Sequence, residues 1–284
     1  MNGLRRNDAS PGNRKLVTKR EEAYPAVMRF LSRTSFEITA NGLFPFLYYT
    51  KYRLTTGGFI FTNFMQPSLR HIIHNNTFWL SSERCIYWEE QQALILSDLH
   101  FGKTGHFRKS GIAVPQSVFK EDLQRLFAMV QFYNTRQLII VGDMFHSHEN
   151  KEMELFTKWR NDLGGLNIHL IKGNHDILNN SFYSQAGIDL SDCHLQVGNI
   201  GFVHDPAAIT SELPAADYYF TGHMHPGISM YCGSRQTLSF PCYYFGARYA
   251  VLPAYSKFAG FVNIKPKARD NVYAIVNQSL VQVQ

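Results

Sequence analysis

Residues 137–146 read Gln-Leu-Ile-Ile-Val-Gly-Asp-Met-Phe-His. Four consecutive apolar residues, three of them β-branched, stop at a glycine and a carboxylate. This is the pattern of a short strand buried on both faces that hands an acid to the loop after it. The same order recurs on either side. Upstream, Ala93 to Ser97 leads into Asp98-Leu-His100; downstream, Asn167 to Ile171 leads into Gly173-Asn-His-Asp176. Between the three runs lie Gln116 to Phe132 and Asn150 to Leu163, where apolar residues recur at helical spacing. A β-α-β-α-β order predicts a largely parallel sheet. From Cys193 onward the apolar runs shorten, at Gly201 to Val203 and Tyr218 to Phe220, with turn residues at Pro206, Pro226, Gly233 and Pro253 and no long helical stripe. This half is expected to be mostly strands, forming a second sheet packed on the first.

The chain has 284 residues, enough for one sizeable core and an appendage. With 45% hydrophobic and 18% charged residues it is apolar enough to offset its ordering entropy, which excludes wholesale disorder. The nearest candidate for a membrane span, Leu43 to Phe64, contains Lys51, Arg53 and two glycines, so no span and no membrane partner are expected. Arg5, Arg6, Arg14, Lys15, Lys19 and Arg20 are followed by no apolar stretch or small-residue cleavage site, which argues against a signal peptide. Cys85, Cys193, Cys232 and Cys242 contain no C-x-x-C pair and read as reduced thiols of a cytoplasmic protein.

The net charge of +6 invites a nucleic-acid reading until it is divided. Residues 1–64 hold ten Lys or Arg against four Asp or Glu, which accounts for all of it; the remainder balances eighteen against eighteen. Broad electrostatic capture of a phosphate backbone is therefore not a property of the body of the protein. Residues 1–64 are expected to be an extension, poorly ordered or the product of a misplaced start, and residues 65–284 to be the folded domain.

Five clusters follow the strand runs: Asp98-Leu-His100, Gly142-Asp143, Gly173-Asn-His-Asp176, His204 and Gly222-His-Met-His225. Ligands bind where strand-end loops of an open α/β sheet converge. The donors are two carboxylates, an amide oxygen and four imidazoles, with His175 in reserve. Such mixed oxygen and nitrogen donors without thiolate suit Mn, Fe, Zn, Ni or Co better than calcium. Asp-x-His and His-x-His would put both side chains on one side of an extended chain, so that two donors reach one cation. The glycines before Asp143, Asn174 and His223 are expected to serve close backbone approach.

The ordered set D-x-H, G-D, G-N-H-D, His and G-H-x-H resembles the calcineurin-like metallophosphoesterase superfamily over roughly residues 70 to 284. Asp98-Leu-His-Phe-Gly-Lys103, Phe107-Arg108, Gly111-Ile-Ala-Val-Pro115, Gly142-Asp-Met-Phe-His-Ser147 and Leu252-Pro-Ala are similar to its ligase-associated DNA damage response endonuclease (PdeM-like) branch. The resemblance implies a four-layer αββα sandwich of two mixed sheets. It implies two divalent transition metals, manganese foremost, one held by Asp98, His100 and His225 and the other by Asn174, His204 and His223, with Asp143 bridging. Metal-activated water would attack phosphorus in line, and His175, oriented by Asp176, would protonate the leaving oxygen. Lys103 and Arg108 would contact the phosphate. His146 stands where many members carry an acidic residue or Asn; it is a further candidate substrate contact.

The activity implied is hydrolysis of phosphodiesters, a nucleic acid above all, in a DNA-repair setting with an ATP-dependent DNA ligase and a helicase-like partner. A phosphomonoesterase or a cyclic-nucleotide phosphodiesterase could use the same site. An inactive scaffold of this fold is the alternative outside enzymes, but scaffolds characteristically lack part of the donor set. His71, His74, His106, His169 and His194 read as core or loop residues, and His148, like His146, as loop residue or substrate contact. The aromatic runs Tyr218 to Phe220 and Tyr243 to Phe245 could stack bases but read better as core filling.

Overall fold

Alternation within the buried strands builds the fold from the middle outward. The computed structural model describes residues 50–55, 58–63, 68–103, 117–146, 151–231 and 236–284. Arg108, His106, His148 and Cys232 lie outside these residues. Within residues 1–64 the described part is a hairpin of β1 (Thr50–Thr55) and β2 (Gly58–Asn63), with Thr50 opposite Asn63.

The first sheet runs β3 (Leu69–Ile73), β4 (Asn76–Leu80), β5 (Ile86–Trp88), β6 (Ala93–Leu96), β7 (Gln137–Val141), β8 (Asn167–Ile171) and β9 (Ile188–Ser191), in that spatial order. β3 to β6 form an antiparallel meander, and β6 to β9 are parallel. Helices α1 (Ser117–Phe132) and α2 (Lys151–Asp162) make the first two parallel crossovers, and α3 (Asn180–Gln185) makes the third. α3 is capped by Asn179, whose side chain accepts the Ser181 N–H at 3.0 Å.

The second sheet contains β10 (Leu195–Val197), β11 (Ile200–Phe202), β12 (Tyr218–Thr221), β13 (Pro226–Tyr231), β14 (Thr237–Phe245), β15 (Tyr249–Val251), β16 (Val262–Asn263), β17 (Asn271–Val276) and β18 (Ser279–Gln282). Its spatial order is β10-β11-β12-β15-β14-β13-β16, with β17 joining β14 to β18. The β11-β12-β15 pairings are parallel and the β14 pairings antiparallel, so both sheets are mixed.

The period of two sorts side chains into separate cores. Leu94, Leu96, Leu138 and Ile140 face the helices, where they meet Leu126, Phe156 and Tyr183. Ala93, Ile95, Ile139 and Val141 face the other way and meet Phe202, Phe220, Tyr243 and Ala250 of the second sheet. Tyr218, Tyr219, Phe220, Tyr243 and Phe245 are all buried. All three described α-helices pack on the first sheet; a small cluster of Ile228, Cys242, Val272 and Ala274 on the second sheet contains only strand residues. No described helix is long and apolar enough to cross a membrane. Cys85, Cys193 and Cys242 are free thiols.

Candidate metal centre

Each candidate donor sits just past the carboxyl end of a strand: Asp98 and His100 after β6, Asp143 after β7, Asn174 after β8, His204 after β11, His223 and His225 after β12. There the chain turns. Asp98, His100, Asp143, His223 and His225 have φ of 55°, 51°, 50°, 66° and 45°, in the left-handed region that costs a non-glycine residue on the order of 1 kcal/mol or more. The expectation of extended Asp-x-His and His-x-His segments is thereby corrected: left-handed turns aim these side chains. Asp98 and His100 still meet in one group, but His223 and His225 part into two.

Glycine makes room for this. A Cβ on Gly173 would stand 2.2 Å from Asp143 Oδ1, and one on Gly222 would stand 2.7 Å from Asp98 Oδ2. Neither contact is sterically allowed, so these positions accept only hydrogen as a side chain.

In the first group, His225 Nε2 lies 3.2 Å from Asp98 Oδ1 and 3.2 Å from His100 Nε2. His225 Nδ1–H donates to the Gly260 carbonyl at 3.2 Å, which leaves the Nε2 lone pair pointing inward. Asp98 is fully buried, and its Oδ1 accepts no hydrogen bond from the described residues. Its other oxygen accepts the His223 N–H at 3.2 Å.

In the second group, His204 Nδ1–H donates to the Val141 carbonyl at 2.9 Å. His204 Nε2 then faces Asp143 Oδ2 at 3.4 Å and Asn174 Oδ1 at 3.2 Å. The same Asn174 oxygen lies 3.1 Å from His223 Nδ1, while His223 Nε2 looks toward Asp205 Oδ2 at 4.0 Å. The two groups are stitched together by the His100 N–H, which donates to the Asp143 main-chain carbonyl at 2.9 Å.

Both groups pose the same electrostatic problem. Lone pairs of carboxylate, amide and imidazole converge, and either a proton or a cation must sit among them. Burial alone would lower the His204 pKa, but the Asp143 and Asp98 carboxylates raise it to about 9. Burial would raise Asp143, but His204 and the His175 N–H lower it to about 2. His100, penalised first by burial and then by the Lys103 charge, falls to about 2 and stays a neutral donor. These residues fit divalent cations: hard oxygen and borderline nitrogen donors, fixed tautomers, and a buried carboxylate oxygen with no bond to satisfy it.

The remaining candidates divide. His175 donates its backbone N–H to Asp143 Oδ1 at 2.9 Å, and its ring contacts that of His146 at a tilt of 33°, with centroids 4.3 Å apart. His146 also meets the His100 ring, at 5.3 Å. Lys103 is half-buried; burial lowers its pKa, and Asp143 and Asp98 push it back up. Asp176 is buried and turned away from solvent, with one oxygen accepting the Phe145 N–H and the other the Gly173 N–H, both at 2.9 Å. Its hydrogen bonds therefore hold the two ligand loops together. Burial raises its pKa to about 6.

Some contributors carry no motif. Asp205, beside His223, follows His204 directly and could have been suspected from that adjacency. The Gly260 carbonyl and the Tyr255 and Ser256 N–H groups, which donate to the Ser97 and Asp98 carbonyls at 2.8 and 3.3 Å, act through the main chain and leave no trace in residue type.

Residues 92–227 match the calcineurin-like phosphoesterase family. Among solved structures, the chain is similar to one described as the crystal structure of Pseudomonas putida nuclease MPE, with a TM-score of 0.62 and 24% sequence identity. The similarity covers 73% of this chain and 96% of that one, and it establishes the metallophosphoesterase fold. A comparison with curated protein sequences gives no match.

Proposed function

We propose that this chain is a dinuclear metal-dependent phosphodiesterase acting on nucleic acid, of the ligase-associated endonuclease type that its motifs resemble. The observation that carries the reading is the convergence of lone pairs in two adjacent donor groups, Asp98-His100-His225 and Asp143-His204-His223, with Asn174 completing the second; Asp98, His100, Asp143 and His204 are buried, and His223 and Asn174 are open to solvent. The match of residues 92–227 to phosphoesterases gives the reaction class. The description of the similar Pseudomonas putida protein as a nuclease favours diesters.

In this reading Asp98, His100 and His225 would hold one cation, Asn174, His204 and His223 would hold the other, and Asp143 would serve both. Bound there, two divalent cations would supply positive charge to the phosphoryl oxygens and make water acidic enough to attack at neutral pH. The chain's own residues do the rest. His175, tethered by its N–H to Asp143, presents its ring at the rim to protonate the departing oxygen. Lys103 and Arg108 supply cationic contacts to the phosphate, and the His146 ring supports His175 by a tilted ring contact. Asp176 fixes the two loops on which Asp143 and Asn174 ride.

The test is a purified, metal-analysed protein assayed with Mn, Ni, Zn and Mg on para-nitrophenyl mono- and bis-esters of phosphate. The reading predicts two metals per chain and faster turnover of the bis-ester. Monoester preference would move the assignment to a phosphomonoesterase; no turnover with any metal would remove the enzyme assignment.

A further inference from the structure

The segment 256–262 runs Ser-Lys-Phe-Ala-Gly-Phe-Val and is bound to the metal centre by its backbone. The Val262 N–H donates to the His225 main-chain carbonyl at 2.9 Å, and the Gly260 carbonyl accepts from the His225 ring at 3.2 Å. At the other end, the Ser256 N–H donates to the Asp98 carbonyl at 3.3 Å and its hydroxyl accepts the Phe258 N–H at 3.3 Å. Both ends of the segment are thus registered on ligands of the first donor group.

Apart from Lys257, which is turned toward Glu83 at 3.9 Å, the open side of this anchored segment is apolar. Phe258 and Phe261 are 37% and 38% exposed, and Met224, between the two histidines, is 44% exposed. The Phe261 ring lies directly on the backbone of Gly227, where a Cβ would stand 2.2 Å from the ring. A flat ring backed by main chain, partly open to solvent and fixed next to the candidate ligand His225, is a preorganised stacking surface. The aromatic runs Tyr218 to Phe220 and Tyr243 to Phe245 cannot serve this purpose, since they are buried or nearly so.

On the reading given above, the phosphate would occupy the metal centre and one of its two ester groups would extend along the His225 side. We propose that Phe261 and Phe258 form a shelf on which the nucleobase next to the scissile phosphate stacks, so that the preferred substrates are base-bearing diesters. Stacking tolerates any base because each has a π face. It supplies substrate recognition where the body of the protein carries no net positive charge.

Two esters with the same leaving group isolate the base: thymidine 5′-(para-nitrophenyl) phosphate and methyl para-nitrophenyl phosphate. In the metal-loaded wild type the thymidine ester should have a kcat/KM higher by roughly tenfold or more, the size of a base–aromatic stack. In Phe261→Ala and in Phe258→Ala that ratio should fall severalfold, mainly through KM, and Phe261→Tyr should restore it. A wild-type ratio near one, or a ratio unchanged in both alanine variants, overturns the shelf while leaving the phosphodiesterase reading intact. Hydrolysis of neither ester overturns both.

Discussion

The imidazole of His204 lies against the bare Cα of Gly142, so closely that a Cβ there would stand 2.0 Å from Nδ1. Gly142 also has a φ of 81°, a conformation that side chains resist. Its position after β7 therefore lets β11 bring a ligand across the sheet interface to the residue beside Asp143. Gly142→Ala should displace the ring and weaken metal binding at the second group by about 10- to 100-fold, as loss of outer contacts to a ligand does. Metal titration of the variant checks this.

His204 also sets a pH dependence. With no cation bound, its pKa is raised to about 9, so the ring carries a proton at neutral pH and shares it with Asp143. A metal needs the neutral ring, hence binding at pH 7 must expel that proton, and affinity should climb as pH rises toward about 9 and then level. Calorimetry in two buffers of different ionisation enthalpy should detect proton release at pH 7 that fades above pH 9. Release that is absent at pH 7 would contradict the pairing of His204 with Asp143.

Asp143→Ala and His175→Ala should fail in different ways. Removing the carboxylate that faces His204 and accepts the His175 N–H should empty the second group. Removing the His175 ring should leave metal content unchanged and lower kcat by roughly 100- to 10,000-fold, the range of general acid catalysis. Metal analysis beside steady-state kinetics distinguishes the two.

Behind the first donor group, Arg125 is buried between α1 and the segment that contacts Asp98. It donates to Asp122 at 2.9 Å and to the Tyr255 carbonyl, and its guanidinium lies 4.1 Å over the Tyr255 ring. Arg84 donates to the Ala254 and Ser256 carbonyls at 3.1 and 2.9 Å. Arg125→Met would leave the buried Asp122 carboxylate without its ion-pair partner, held only by its hydrogen bonds to Ser256 and Lys257, and should lower unfolding stability by roughly 3 kcal/mol. Adding Asp122→Leu should recover part of the loss in chemical denaturation.

The parallel half of the fold was legible because its strands are buried on both faces: β7 and β8 coincide with the expected Gln137 to Val141 and Asn167 to Ile171, and α1 and α2 begin within a residue of the expected starts. The meander β3 to β5 and the strands after β12 were less so, since their pairing is set by tertiary contacts and not by runs of one kind. The donors were legible because carboxylate and imidazole chemistry shows in residue type. The left-handed turns that aim them and the carbonyls of Val141 and Gly260 that fix imidazole tautomers were not, because backbone geometry and main-chain acceptors have no signature in single residues; the division of His223 from His225 came from the family resemblance and not from their spacing. For Asp176, which the family resemblance places behind the His175 ring, the structure adds two main-chain amides accepted by its oxygens, and these too leave no sign in residue type.

Electron paramagnetic resonance of the manganese-loaded protein, with metal content measured on the same sample, tests the paired centre most directly. The account predicts two manganese ions per chain with an exchange-coupled multiline spectrum, reduced to an isolated-ion signal in Asp143→Ala. One ion per chain, or two with uncoupled six-line signals in the wild type, would contradict it.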